Sequence, residues 1–328
     1  MRILLIIVAI VLGLVGLAFL AGRGGHESYD AQYFKPGPVI GLVKGLSDDE
    51  LEGRGIGTQG SARAQEMIEA RMNALELLRL GQSGYRHPFT IENDEGDLVS
   101  GVNLIGAIQG SEGSDRVIVI TAHYDHLGIQ DGEIYNGADD NASGVAALFA
   151  IAQHFSGKKN TPKHSLLFVV LDGEERGFLG AKAFMKDPTV SVQDIAFNLN
   201  LDMVARADNG TLWASGGAHT PVLLPLLESV SEEAPLTLRT GYDGSDDSQD
   251  DWTEMSDHAV FYQAGIPHLY LGVEDHPDYH KATDDFEKID QDVFLKSVDT
   301  ILMVTMALDE QLDDILATPE KETDAEEG

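Results

Sequence analysis

The sequence predicts an α/β protein, a three-layer sandwich whose mixed, mostly parallel central sheet is covered by helices on both faces. Three observations carry this. Short β-rich runs alternate with helical ones through the middle of the chain, the order that builds a largely parallel sheet. One run, SLLFVVLD (165–172), is apolar almost without a break, as a strand buried on both faces must be. No internal repeat and no linker divides the core, and 43% hydrophobic residues supply ample material for it.

The elements follow in order. SARAQEMIEARMNALELL (61–78) places apolar residues at helical spacing among good helix formers. VNLIGAIQG (102–110) and RVIVITAHYD (116–125) read as strands, and SGVAALFAIAQHF (143–155) as a helix. After strand 165–172 comes a helix in GFLGAKAFMK (177–186), then a strand in IAFNLNLDM (195–203). TPVLLPLLESVSEE (220–233) is helical, HLYLGV (268–273) is a strand, and DVFLKSVDTILMVTMAL (292–308) closes as a long helix.

The two ends stand apart from residues 27–308. Residues 3–22 form an uncharged apolar run, long enough to cross a bilayer as a helix and long for the apolar part of a cleaved signal. Residues 1–26 therefore read as a signal peptide or an N-terminal membrane anchor. Either puts the remainder on the periplasmic or extracellular face, with membrane contact only through that segment. Residues 309–328 carry nine acids against one lysine and read as a self-repelling, frayed tail.

Composition excludes several functions. With 22 Lys and Arg against 55 Asp and Glu, the net charge is −33, the wrong sign for a nucleic-acid partner. No cysteine means no disulfide, no thiolate metal site and no cysteine nucleophile. Gly55, Gly57 and Gly60 spell a dinucleotide-binding fingerprint, but LSDDELEGR before them is polar and acidic, not the buried strand that motif requires. Asn141, Ala142 and Ser143 match a glycosylation sequon, and their place among the residues described next makes this a coincidence. A serine-hydrolase elbow, G-x-S-x-G, does not occur.

Acids and histidines cluster just after the buried strands, the end of an open parallel sheet where ligands bind. His123 ends VIVITAH, with Asp125 two residues on, placed to orient its ring as carboxylates do behind metal-bound imidazoles. His126 is the nearest rival ligand. Asp139 and Asp140 stand at the mouth of the next helix, where adjacent carboxylates repel unless cations neutralise them. Glu174 and Glu175 follow the most apolar strand, so one can bind metal while the other acts as general base. Asp202 ends a strand, and His280 follows the last one. Each alone has a plain structural reading, as a helix cap, a first-turn acid or a strand-end histidine. Together, in a chain without cysteine, they suit Zn²⁺ or a similar divalent ion. They are too many for one tetrahedral zinc and fit two ions sharing a carboxylate and a water.

The ordered series AHYDHLG, GADDNASG, DGEERGFLGAKAF, NLDM, SDHAVFYQAGIP and YHKATDDFEKI resembles the di-zinc aminopeptidase family over roughly residues 45–308. Relatives of that family include glutamate carboxypeptidase, the catalytically inactive transferrin receptor and the single-zinc glutaminyl cyclases. The resemblance implies two Zn²⁺. His123 and Asp202 would hold one, Glu175 and His280 the other, and Asp140 would bridge them, with the Asp140–Asn141 peptide cis. Glu174 would be the general base for the metal-bridging water, and Tyr279 would hydrogen-bond the developing oxyanion. The implied activity is removal of residues from peptide or protein N-termini. A carboxypeptidase or dipeptidase on the same site, and a non-catalytic binding module, are the alternatives. The first would want a cationic pocket, and Arg is scarce near the motifs; the second would be expected to have lost ligands. The acidic stretch 243–251 carries a further expectation, that it rims the pocket and favours basic substrates.

Overall fold

The computed structural model describes residues 28–93, 95–157, 159–246 and 248–317. The chain divides into residues 1–30 and 31–328, and the fold described is that of the second unit. The apolar run 3–22 and residues 318–328 lie outside the described residues. No helix among the described residues is long and apolar enough to cross a membrane.

Helix α1 (Pro36–Leu46) starts on a proline, whose missing N–H costs nothing in a first turn. Helix α2 (Gln59–Ala74) is capped by Thr58, whose hydroxyl accepts from Ser61 N at 3.1 Å. Gly60, the last of the glycine triplet, serves packing in its first turn. A Cβ on Gly60 would fall 1.8 Å from the Leu51 carbonyl oxygen, so only glycine lets the helix start this close to the preceding turn.

The strands follow as β1 (Leu78–Arg79), β2 (Arg86–Glu92), β3 (Leu98–Ile108) and β4 (Val117–His123). A small hairpin of β5 (Gly128–Gln130) and β6 (Glu133–Tyr135) precedes helix α3 (Gly144–Phe155) and strand β7 (Ser165–Leu171). Then come α4 (Leu179–Lys186), β8 (Ile195–Leu201), β9 (Thr211–Ser215), α5 (Leu224–Glu233), β10 (Thr237–Thr240), α6 (His258–Gln263), β11 (His268–Gly272) and α7 (Gln291–Ala317). All but β5 and β6 form one nine-stranded sheet, ordered β1-β3-β7-β4-β8-β11-β9-β10 with β2 also paired to β3. The four central strands β7, β4, β8 and β11 are mutually parallel, while β3 and β9 flank them antiparallel. The expected mixed, mostly parallel sheet is therefore present.

Strand alternation divides the core between two helical layers. Val117, Val119, Leu167, Val169 and Ile195 pack with Ala181 and Phe184 of α4 and Phe261 of α6. Against the other face lies α3, buried along almost its whole length, with α1 and α7 beside it. Helix α1 and strands β2, β9 and β10 are not among the expected elements. Strand β2, RHPFTIE, is half exposed and contains Pro88, which an outer strand tolerates.

The acidic tail needs a correction. The closing helix does not fray at Asp309 but continues to Ala317, with Leu312 and Ile315 buried. Asp309 is itself buried and accepts the backbone N–H groups of Lys163 and His164 at 2.8 and 2.9 Å. Charge count alone overlooks that a helix can bury one stripe while most of the acids of its last turns face solvent.

Candidate metal centre

The carboxyl ends of the four parallel strands lie along one edge of the sheet. His123 is the last residue of β4, Asp202 directly follows β8, and Glu174 and Glu175 stand just past β7. A tight turn delivers the two glutamates, with Gly173 and Gly177 at positive φ on either side of them.

Asp140 is positioned by an irregular segment, Ala138–Ser143, ahead of α3. The Asp140–Asn141 peptide is cis. Gly137 allows the bend, since a Cβ there would lie 2.0 Å from the Asp140 carbonyl oxygen. The Asp284 carboxylate accepts the N–H groups of Asp139 (3.0 Å) and Asp140 (3.0 Å). Asp139 turns away from the centre: its carboxylate accepts Ser143 Oγ at 3.0 Å and Ala205 N at 2.6 Å. Asn141 bonds the Leu201 carbonyl oxygen at 2.9 Å and accepts Gly144 N at 2.9 Å, tying the segment to β8. At 0% exposure, Asn141 is no glycosylation site.

Two groups of ligand atoms result. His123 Nε2 lies 3.2 Å from Asp202 Oδ1 and 3.4 Å from Asp140 Oδ1. His280 Nε2 lies 3.1 Å from Asp140 Oδ2 and 3.4 Å from Glu175 Oε2. Ligands about 2.1 Å from a shared ion are separated by about 3.0–3.4 Å. Asp140 offers one oxygen to each group. His123, Asp140, Asp202, Glu175 and His280 are thus brought together.

His126 enters the second group. Its Nδ1 is 2.8 Å from Glu175 Oε1 and 3.7 Å from Asp140 Oδ2, yet both the nitrogen and Glu175 Oε1 lack hydrogen-bond geometry and remain buried without a partner. Such orphaned atoms facing one another are what a cation between them would satisfy. The sequence marks His126 as a rival of His123; the fold places it beside Glu175 instead.

Asp125 departs from its expected contact. The His123 ring nitrogen Nδ1 is 3.1 Å from the Asp125 backbone oxygen, and the carboxylate oxygen is 3.7 Å away, outside hydrogen-bond range. That carboxylate accepts Glu174 N at 3.1 Å and so positions the general-base candidate. Tyr279 stacks on His280 with ring centroids 4.0 Å apart. Arg206 bonds Asp278 and Asp208, each at 3.0 Å, anchoring the loop that carries Tyr279 and His280.

The electrostatics call for positive charge. Burial, with Asp202, Asp257 and Glu175 near by, raises the Glu174 carboxyl well above its usual range. Burial works against a charged His280, but Asp140 and Glu175 outweigh it and raise its pKa to about 10. His123 is likewise raised despite burial, chiefly by Asp202 and Glu174. A divalent ion would answer the same deficit of positive charge.

Three buried groups around the centre escape sequence reasoning. Arg54, 0% exposed, donates to the carbonyl oxygens of Tyr124 (2.6 Å), Asn136 (2.6 Å), Gly137 (3.0 Å) and Leu46 (2.5 Å). Asp257 is buried with neither oxygen hydrogen-bonded, and burial pushes its pKa up to about 8. Ser256 donates to Asp202 Oδ2 at 2.7 Å. The SDH run hints at the last two; nothing in the sequence around Arg54 marks it.

Beside the centre opens a cavity of ≈ 300 Å³ with Asp140, Glu174, Glu175, Asp202, Tyr279 and His280 on its wall. The pattern of peptidase family M28 matches residues 103–305, which spans every one of these groups. The chain belongs to peptidase family M28. Among curated relatives, the chain is 29% identical over 220 residues to "Probable zinc metalloprotease" of Pyrenophora tritici-repentis, covering 54% of this chain and 48% of that one. The chain thus spans about half the length of that relative. Among solved structures, a leucine aminopeptidase precursor from Bacteroides thetaiotaomicron superposes with a TM-score of 0.67 at 20% identity, covering 84% of this chain and 98% of the other. A glutaminyl cyclase from the same organism gives 0.66 at 20% identity, over 84% and 98%. At such identities the likeness is one of fold, and the M28 fold carries more than one chemistry.

Proposed function

We propose that this M28 member is an exported, zinc-dependent exopeptidase, most specifically an aminopeptidase holding two Zn²⁺. The observation that carries the reading is Asp140, one oxygen toward His123 and Asp202 and the other toward His280 and Glu175, with Glu174 alongside. Zinc there would polarise the scissile carbonyl, lower the pKa of the attacking water and bind the substrate's free α-amine.

The chain's own groups supply the rest. Glu174, its carboxyl raised above the usual range by burial, takes the water's proton and returns it to the leaving amine. Burial and the surrounding carboxylates raise Tyr279 well above its usual value, so its hydroxyl stays a donor for the oxyanion. A carboxypeptidase would need a free cation for the substrate carboxylate. Arg54 is spent on backbone carbonyls and Arg206 on Asp208 and Asp278, which weighs against it.

Side-chain preference follows from the cavity wall. Phe178, Met203, Trp252, Met255, Tyr270 and Val273 give it an apolar part, beside the charged groups of the centre and Asp275. Of the acidic stretch 243–251, Ser245, Asp246 and Gln249 line a different cavity with Trp213 and Leu224. The idea that this stretch favours basic substrates therefore gives way to an apolar preference. Leucyl anilides should exceed lysyl ones in kcat/KM by about 10-fold or more, since seating the lysyl ammonium against these apolar side chains costs hydration that a leucyl side chain of equal carbon count does not carry. Equal rates would contradict the assignment of this wall.

The deciding measurement is metal content together with hydrolysis of free and N-acetylated aminoacyl anilides and peptides. At least two zinc per chain with cleavage only of free amines is the expected result. Cleavage of blocked peptides would indicate carboxypeptidase or endopeptidase chemistry. Cyclisation of glutaminyl peptides instead would indicate the glutaminyl cyclase reaction, and no turnover after reconstitution would indicate a binding module.

A further inference from the structure

At the opposite edge of the sheet, where β4 and β7 begin, lies a third group of metal-ligating atoms. Among the described residues, Glu112, His164 and Asp313 each offer one ligand atom, all within 4.8 Å of one another. They come from the loop before β4, the residue before β7 and the last turns of α7. Each strand spans about 20 Å, so this group is remote from the catalytic edge.

Acids near a histidine are common and carry nothing alone. Here the histidine is prepared. His164 is 1% exposed, and its Nε2 is buried without any hydrogen-bond partner. Its other nitrogen, Nδ1, lies 3.1 Å from the Asp309 carbonyl oxygen and 3.2 Å from Asp309 Oδ1, both acceptors only. The proton is therefore held on Nδ1, and Nε2 presents a lone pair. A carboxylate behind an imidazole in this way is the arrangement found behind metal-bound histidines. Nε2 faces Asp313 Oδ1 at 3.6 Å, too far for a hydrogen bond and near the separation of about 3.4 Å for two ligands on one tetrahedral ion.

We infer that Glu112, His164 and Asp313 form a divalent transition-metal site that staples the end of α7 to the starts of β4 and β7. One imidazole and two carboxylates suit Zn²⁺, with water completing the shell. Arg116 contacts Asp313 Oδ1 and would share or yield that oxygen. Both side chains are about half exposed, so the rearrangement costs little.

The test compares the wild-type protein with Glu112→Gln/Asp313→Asn, a pair of exposed changes that leaves the core intact. After dialysis against buffered micromolar Zn²⁺, the wild type should retain one more zinc per chain than the double variant. Zinc should also raise the wild-type Tm further. Asp309→Asn, which keeps an acceptor behind Nδ1, should weaken the extra site about 10–100-fold. Removal of the competing cation in Arg116→Gln should tighten it. Equal zinc content in wild type and double variant would overturn the proposal, whatever the catalytic centre holds.

Discussion

Glu174→Gln should lower kcat by about 10²–10⁴-fold while leaving metal content unchanged. Glutamine keeps the size and the backbone hydrogen bond from Glu174 N to Asp125 Oδ1 at 3.1 Å, so the turn after β7 survives. Only the proton acceptor is lost. The ligand atoms of the two groups come from His123, Asp140, Asp202, Glu175, His126 and His280, none of which the change touches. If this is the base, steady-state kinetics should show the loss in kcat with little change in KM, because the group acts in the transition state. A variant with near wild-type kcat would remove Glu174 from the mechanism. Loss of metal would mean that it is a ligand.

Arg54→Met should destabilise the protein by about 3–5 kcal/mol or more, a large part of the stability of an ordinary domain. The guanidinium satisfies four buried carbonyl oxygens from three separate segments, and each orphaned acceptor costs about 1–3 kcal/mol. Burial lowers its pKa to about 10, with Asp125, Asp140, Asp284 and Glu175 sustaining its charge. Its removal leaves those carboxylates facing one another. The loss measured by denaturant unfolding should therefore be greater in chelator than in zinc, which would take over part of the neutralisation. Arg54→Lys should recover only a fraction, because an ammonium cannot fork to four acceptors. A loss under about 1 kcal/mol, alike in zinc and chelator, would contradict this role.

Much of the centre was legible because its residues stand at strand ends. VIVITAH, SLLFVVLD and IAFNLNLD announce buried strands by composition, and a polar or charged residue closing such a strand has few structural duties to perform there. The glycine triplet at 55–60 was readable as a decoy on the same grounds, from the acidic residues before it. Half-exposed β2 and short β9 and β10 were not legible, since neither strict alternation nor a continuous apolar run marks them. The length of α7 escaped as well, because its acids mask the stripe formed by Leu308, Leu312 and Ile315.

The sequence by itself determined the fold class and the family. Each of these rests on local pattern: strand composition, strand-end chemistry and the order of short motifs. Only the tertiary structure decided which atoms meet. Sheet order sets β4 between β7 and β8, and β8 beside β11, so His123 meets Asp202 across 79 positions of chain. The same folding brings His126 to Glu175, turns the Asp125 carboxylate to the Glu174 backbone, and seals Arg54 among carbonyls from distant segments. Distances of this kind arise from strand register and burial, which no single stretch of sequence contains.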